Sequence, residues 1–378
     1  MKMSRWTAGM IAVVMFLIFS GNNAFAEDKT LEDRVAALEK QGSAGMEFLK
    51  GISLSGFVDT SYTYNFNRPD SGANTLRVFD TEDNSFELDL VELVFEKKSD
   101  EGVGFRTALN FGHTAQILGG ATIGSNDDDF EFQQAYLTYK AMGVDWMIGK
   151  FVTLHGAEVI EAPSNHNISR SFLFGYAIPF THTGIMGTKP IGDAVDIKFG
   201  IVNGWDNTTD NNRAKTGHLG IGYHPSDLFA ITVNGMYGAE KNDDTADKRK
   251  LMDVVATIKP IKNLTLLLNY DLGSEDKSAP GGKDAQWSGF SGVVRYDLTD
   301  RLGISLRGEA FNDRDGVRTG TDQDLWEGTF TISYALAENL TARCEYRHDD
   351  SNEEVFEDEG GILKDSQDTL ALEMTYSF

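Results

Sequence analysis

Thr369-Leu-Ala-Leu-Glu-Met-Thr-Tyr-Ser-Phe378 carries an apolar side chain at every second position. Leu370, Leu372, Met374, Tyr376 and Phe378 alternate with Thr369, Ala371, Glu373, Thr375 and Ser377. Strand side chains point to opposite faces in turn, so one face of this segment is wholly apolar and the other mostly polar. A soluble sheet has no reason to end on its apolar face at the terminal residue. A lipid-facing strand does, because barrel-assembly machinery reads a closing aromatic. Tyr376 and Phe378 are therefore the expected membrane-insertion signal.

The same period of two recurs upstream. Ile52, Leu54, Val58, Tyr62, Tyr64 and Phe66 oppose Ser53, Ser55, Asp59, Ser61, Thr63 and Asn65. Further stripes run through Val103–Phe111, Val195–Ile201, Leu219–Tyr223, Phe229–Tyr237, Leu264–Tyr270, Leu302–Ala310, Phe330–Tyr334 and Leu340–Tyr346. Aromatics gather near the ends of these stripes, as interfacial girdles require. Short links, such as 98–102, 141–143 and 189–193, alternate with long polar segments at 67–84, 117–128, 152–172, 204–214, 238–249, 271–284, 312–324 and 348–367. Tight turns on one side and long loops on the other are the pattern of an outer-membrane barrel. The count predicts an all-β, antiparallel, up-and-down transmembrane barrel of 16 strands over 51–378, with 14 or 18 as alternatives. Two strands change parity, at Leu90/Val91 and within Phe130–Tyr139, and each predicts a β-bulge.

Lys2 and Arg5, the apolar run Met10–Phe19 and Ala24-Phe-Ala26 read as a secretory leader over 1–26. Without Lys2 and Arg5 the formal charge moves from −24 to −24 − 2 = −26, which argues against nucleic-acid binding. One cysteine, Cys344, permits no internal disulfide and no thiolate metal cluster. Leu31, Val35 and Leu38 predict a short periplasmic helix over 27–50. It could serve as a trimer-forming coiled coil, a frayed leader or a plug in the lower mouth.

Gly149-Lys-Phe151, Ser169-Arg-Ser171, Thr181-His-Thr-Gly184, Asn203-Gly-Trp-Asp206, Asp210-Asn-Asn212 and Tyr237-Gly-Ala-Glu240 resemble, in order and spacing, the OmpL-like β-barrel porins. The resemblance covers nearly the whole chain after the leader. It implies an outer-membrane porin with a strand number near 16, and it carries over no catalytic residues and names no solute.

A 16-stranded lumen is wide enough for water, so charge at its narrowest part selects the solute. Arg106, Arg295, Arg307, Arg343 and Arg347 fall on the inward parity, the last four on the twelfth, thirteenth and fifteenth strands. The third long loop carries His155, Glu158, Glu161, His166 and Arg170. One reading sets basic wall against acidic loop across a constriction; the other pairs the arginines with inward carboxylates such as Glu309 and Glu345. The clusters Asp127–Asp129 and Glu353–Glu359 read as solvated charge at the outer mouth. No serine–histidine spacing suggests an enzyme, His182 being the least poor candidate. No cofactor is expected. Expected partners are outer-membrane lipid and lipopolysaccharide, barrel-assembly machinery, small hydrophilic solutes and further copies in a homotrimer. A sheath around a partner multihaem cytochrome, or a loop-based adhesin or receptor, are the alternatives to passive diffusion.

Overall fold

Strand after strand, the alternating segments pair with their sequence neighbours in antiparallel order. The computed structural model describes residues 50–98, 102–122 and 128–378. The expected leader, the expected helix but for its last residue, and Asp127 lie outside the described residues. The wall consists of β1 (Ser53–Asn65), β2 (Ser85–Lys97), β3 (Val103–Phe111), β4 (Phe130–Ala141), β5 (Val144–Val152), β6 (Thr181–Ile191), β7 (Val195–Val202) and β8 (Thr216–Ser226). It continues through β9 (Phe229–Gly238), β10 (Arg249–Ile261), β11 (Leu264–Ala279), β12 (Lys283–Asp297), β13 (Leu302–Asp313), β14 (Gln323–Ala337) and β15 (Leu340–Ser351). A two-residue hairpin, β16 (Phe356–Glu357) with β17 (Leu363–Lys364), stands apart, and β18 (Ser366–Ser377) completes the ring. β18 pairs with both β15 and β1, so the sheet is a closed barrel of 16 strands.

Burial gives the two faces opposite characters. In β8, outward Leu219 is 59% exposed while its inward neighbour His218 is 5% exposed. Outward Leu54, Leu137, Ile185, Ile201, Val294, Leu306 and Leu372 are likewise exposed, and inward Asp59, Asn110, Asp253, Thr331 and Glu345 are buried. In water this would be inside out; in a bilayer it puts apolar side chains against lipid and polar ones around the lumen. Closure leaves no unpaired strand edge, which hydrocarbon requires.

Both predicted bulges are present. Asp59 pairs with Leu90 and Thr60 with Leu88, leaving Asp89 as the extra residue. Ala108 pairs with Gln134 and Leu109 with Phe132, leaving Gln133 extra. Short turns collect at one end; Met142 and Gly143, both at positive φ, make the two-residue link of a primed hairpin turn.

Two loop expectations need correction. The segment 271–284 is mostly strand: β11 and β12 stay paired to Ala279 and Lys283. The polar, glycine-bearing composition reads as loop, but inward Asp271, Glu275 and Trp287 are buried in the lumen. Gly273 makes room for the indole, since a Cβ there would lie 1.9 Å from Trp287. The third loop also runs further than 172, from 153 to 180, because Phe172–Phe180 is a buried loop segment and not the start of a strand.

Candidate functional site

The first and third long loops do not stand up from the barrel; they fold into it. The third loop leaves β5 and returns to β6 through a base bond from Thr153 N–H to Phe180 O at 2.9 Å. Loops that enter a protein interior need partners for every backbone N–H and C=O. Here the wall supplies them. Glu345 accepts from the amides of Ile168 (2.6 Å) and Ser169 (2.8 Å), and Glu309 from those of Phe172 and Leu173 (2.6 Å each). Asp253 accepts from Gly156 N–H and Asn269 from Ala157 N–H, both at 3.0 Å. Arginines serve the carbonyls: Arg307 donates to Ser169 O at 2.6 Å, Arg343 to Ala162 O at 3.1 Å, and Arg347 to Arg170 O at 2.5 Å.

Ion pairs lie beneath these contacts. Arg307 donates to Glu158 and to Glu327, each at 2.7 Å, with its side chain fully buried. Burial pushes the Glu158 carboxyl up, but Arg307 and the hydrogen bonds from Ser171 outweigh it and hold it below the usual range. Arg347 pairs with Asp349 at 2.6 Å and Arg343 with Glu373 at 3.1 Å. Arg170 braces the loop from within, donating to Val159 O (2.9 Å), Ile168 O (2.6 Å) and Ile160 O (2.8 Å). Arg295 pairs with Asp297 at 2.8 Å and donates to Ser333 at 2.6 Å, below the loop.

The loop is therefore bound to one side, the wall from β9 to β15. On the opposite side Gln133 of β4 donates to Glu161 at 2.6 Å and Ala162–Ser164 of the loop lies against β18, a thinner set of contacts among the described residues. There a vestibule of about 570 Å³ remains, lined by Ser55, Glu92, Arg106, Gln134, Tyr136 and Glu161 among others. Arg106 stands 3.5 Å from Glu96 and is partly exposed. Of the expected constriction residues, then, Arg106 and Glu161 share the open vestibule. Glu158, Arg170, Arg307, Arg343 and Arg347 hold the loop in place.

Other residues at the site carry no signal in the strand pattern. The first loop also folds in: Arg77 donates to Asp349 at 2.8 Å and to Thr369 at 2.8 Å, and Phe79 packs 5.8 Å from Phe174. Trp205 and Trp287 meet at 6.1 Å, with Arg318 4.7 Å above the first and 5.3 Å above the second. Burial and nearby Arg249 push Arg318 down to about 10. A helix, α1 (His113–Ala121), packs against β2, β3 and β4 with Leu118 buried. His155 lies between His218 (4.9 Å) and His182 (6.4 Å), its Nε2 without a hydrogen-bond partner. Burial and those two histidines hold the His155 imidazole well below its ordinary value. His182 is buried beside Gly204 O and Thr153. The one sequence signal for an inward loop was Phe172-Leu-Phe-Gly-Tyr-Ala-Ile-Pro-Phe180, too apolar for a segment in water. Tyr376 and Phe378 lie exposed on the outer face at the short-turn end.

Solved structures with this architecture include Pseudomonas putida OprB, at TM-score 0.62 and 12% identity over 90% of this chain and 97% of that one. An anion-selective porin from Comamonas acidovorans matches at TM-score 0.60 and 11% identity, over 86% of this chain and 99% of that one. In-vitro folded OmpT, an outer membrane protein of Vibrio cholerae in its trimer form, matches at TM-score 0.58 and 13% identity, over 86% and 99%. At such identities the likeness is one of fold. A search of the curated proteins found no match. The family model for "Putative beta-barrel porin-2, OmpL-like" matches residues 51–378, the whole of the barrel. The chain belongs to that family and is an outer-membrane β-barrel porin.

Proposed function

We propose that the barrel is a diffusion channel for small hydrophilic solutes and ions, driven by the gradient of the solute alone. The observation that carries this reading is the one-sided docking of the third loop, which narrows the lumen but leaves beside it a vestibule that carries Glu92, Arg106 and Glu161. Inward positions Ser55, Phe57, Asp59 and Ser61 follow one another along β1. The first two line the vestibule and the next two a small cavity beyond it, so the two spaces are stacked along one wall. Arg106 and Glu161 then act as the charged pair at the entry to the narrow zone, and the remaining arginines fix its width.

A sheath around a partner cytochrome fits less well, because the protein's own first and third loops already occupy the wide part of the lumen. A homotrimer is the assembly we infer, by analogy with the trimer form of the V. cholerae protein. Liposome swelling tests the channel: vesicles bearing the purified protein swell in small sugars and amino acids, with rates falling as solute size grows. Vesicles that swell no faster than protein-free controls defeat the proposal.

A further inference from the structure

Three carboxylates crowd the place where β18, β1 and β2 meet. Asp59 pairs across the sheet with Thr375 and Leu90, and Ser61 pairs with Glu373, so Asp59 and Glu373 are diagonal neighbours on the inward face. The bulge turns Asp89 inward beside them, its Oδ1 accepting from Ser61 Oγ at 3.1 Å. All three are more than nine-tenths buried, and Asp59 Oδ1, Asp89 Oδ2 and Glu373 Oε2 have no hydrogen-bond donor. Arg343 Nη1 stands 3.1 Å from Glu373 Oε2 as an ion pair, without the alignment of a hydrogen bond. Between them and the loops lies a cavity with room for one ion or water, closed by Phe79 and Asp80 of the first loop and by Ile160 and Arg170 of the third.

Charge around the cavity does not cancel. Arg77 is paired with Asp80 and Arg343 with Glu373. With both of the remaining carboxylates, Asp59 and Asp89, ionised, Arg170 offsets one and a single negative charge is left. A buried charge without a partner is costly, and those three oxygens, with Asp80 Oδ1 as a fourth that has no hydrogen-bond donor, are the donor chemistry of a hard cation on residues lining one small space. Among the described residues no three His, Cys, Asp or Glu converge closely enough to chelate a metal ion; a weakly held monovalent ion needs no such convergence.

We propose that this cavity is a subsite for a monovalent cation, either an alkali ion or the protonated amine end of a small solute. Its place on a permeation route rests on the channel reading; the binding itself does not. Binding is read from ²³Na line broadening on the full-length protein in detergent, with ³⁵Cl as the control. Sodium lines broaden with wild type and sharpen on addition of potassium, and the broadening falls at least fivefold in Asp59→Asn/Asp89→Asn. Displacement by methylammonium at concentrations below those needed for potassium identifies the amine as the preferred occupant; the reverse order identifies the alkali ion. Equal broadening in wild type and the folded double variant overturns the subsite, whatever the protein conducts. Should the double variant not fold, Asp59→Asn and Glu373→Gln are measured singly, and unchanged broadening in both is equally fatal. In planar bilayers the cation-to-anion permeability ratio of wild type drops severalfold in the variant. An unaltered ratio in a conducting variant removes the site from the route, whereas a wild type that does not conduct defeats the channel reading and leaves the sodium result standing.

Discussion

The two walls of the lumen handle polarity differently, although Asp271 Oδ1 and Arg347 Nη2 on the loop-bearing side also lack partners. From β9 to β15, inward carboxylates accept loop amides and inward arginines donate to loop carbonyls, so Glu309, Glu345, Arg307 and Arg343 all have partners on the third loop. From β18 to β4 the inward carboxylates Asp59, Asp89, Glu92 and Glu373 each keep an oxygen without a donor. A paired wall can be dry and rigid. An unpaired one must be met by water, ions or solute. On the channel reading proposed above, support falls to one side and transit to the other.

The comparison breaks most easily at Arg307. Arg307→Ala leaves Glu158 buried without its ion-pair partner and Glu327 with Arg347 alone, 3.8 Å away, a loss of about 3–5 kcal/mol. The third loop then detaches; single-channel conductance rises and protease cuts between 153 and 180, sites closed to it in the wild type. Next is Gly273→Val, where the new side chain would overlap Trp287. Overpacking of this kind costs about 1–3 kcal/mol, and is read as a lowered Tm and a red-shifted tryptophan emission.

Acidification probes the paired wall more gently. His155 has a depressed value, so the unfolded chain binds a proton that the folded one refuses, and stability falls as the pH drops below about 6.5. Glu158 is also depressed; its contribution is present above the ordinary glutamate range, about 4.3, and is lost as the pH falls through its lower folded value. Both act in the same direction, so the loop loosens in two steps. His155→Gln removes the first, measured as conductance noise or Tm against pH. The smallest effect is expected on the open side. Arg106→Ala and Glu161→Gln change stability by less than about 1 kcal/mol. They shift ion selectivity at low salt, and the shift fades at 1 M, where screening reaches about 3 Å.

Strand number, closure and both bulges were legible because lipid enforces a period of two on the outward face, and an extra residue such as Asp89 or Gln133 visibly breaks it. The inward face answers to nothing local. Glu345 meets Ser169 and Arg77 meets Asp349 across nearly half the chain or more, and no spacing records such a pairing. Hence the inward parity of Arg307 and Arg347 was readable, while their burial under the loop was not. The strand over 271–279 was missed for the same reason: Trp287 on the neighbouring strand, rather than local composition, keeps Gly273 in the sheet. Phe172–Phe180 misled in the other direction, since apolar residues serving a loop look like those serving a strand.

Gly56 and Phe378 exchange two main-chain bonds, at 3.0 and 2.9 Å, where β1 meets β18. That seam has a timing consequence. Fifteen of the sixteen neighbour contacts join strands adjacent in the ring by short or moderate spans of chain, whereas this one joins its two extremes. Hairpins can therefore form in any order, but the cylinder is sealed only when its last ribbon arrives, and until then β1 waits with an open edge that another chain could occupy.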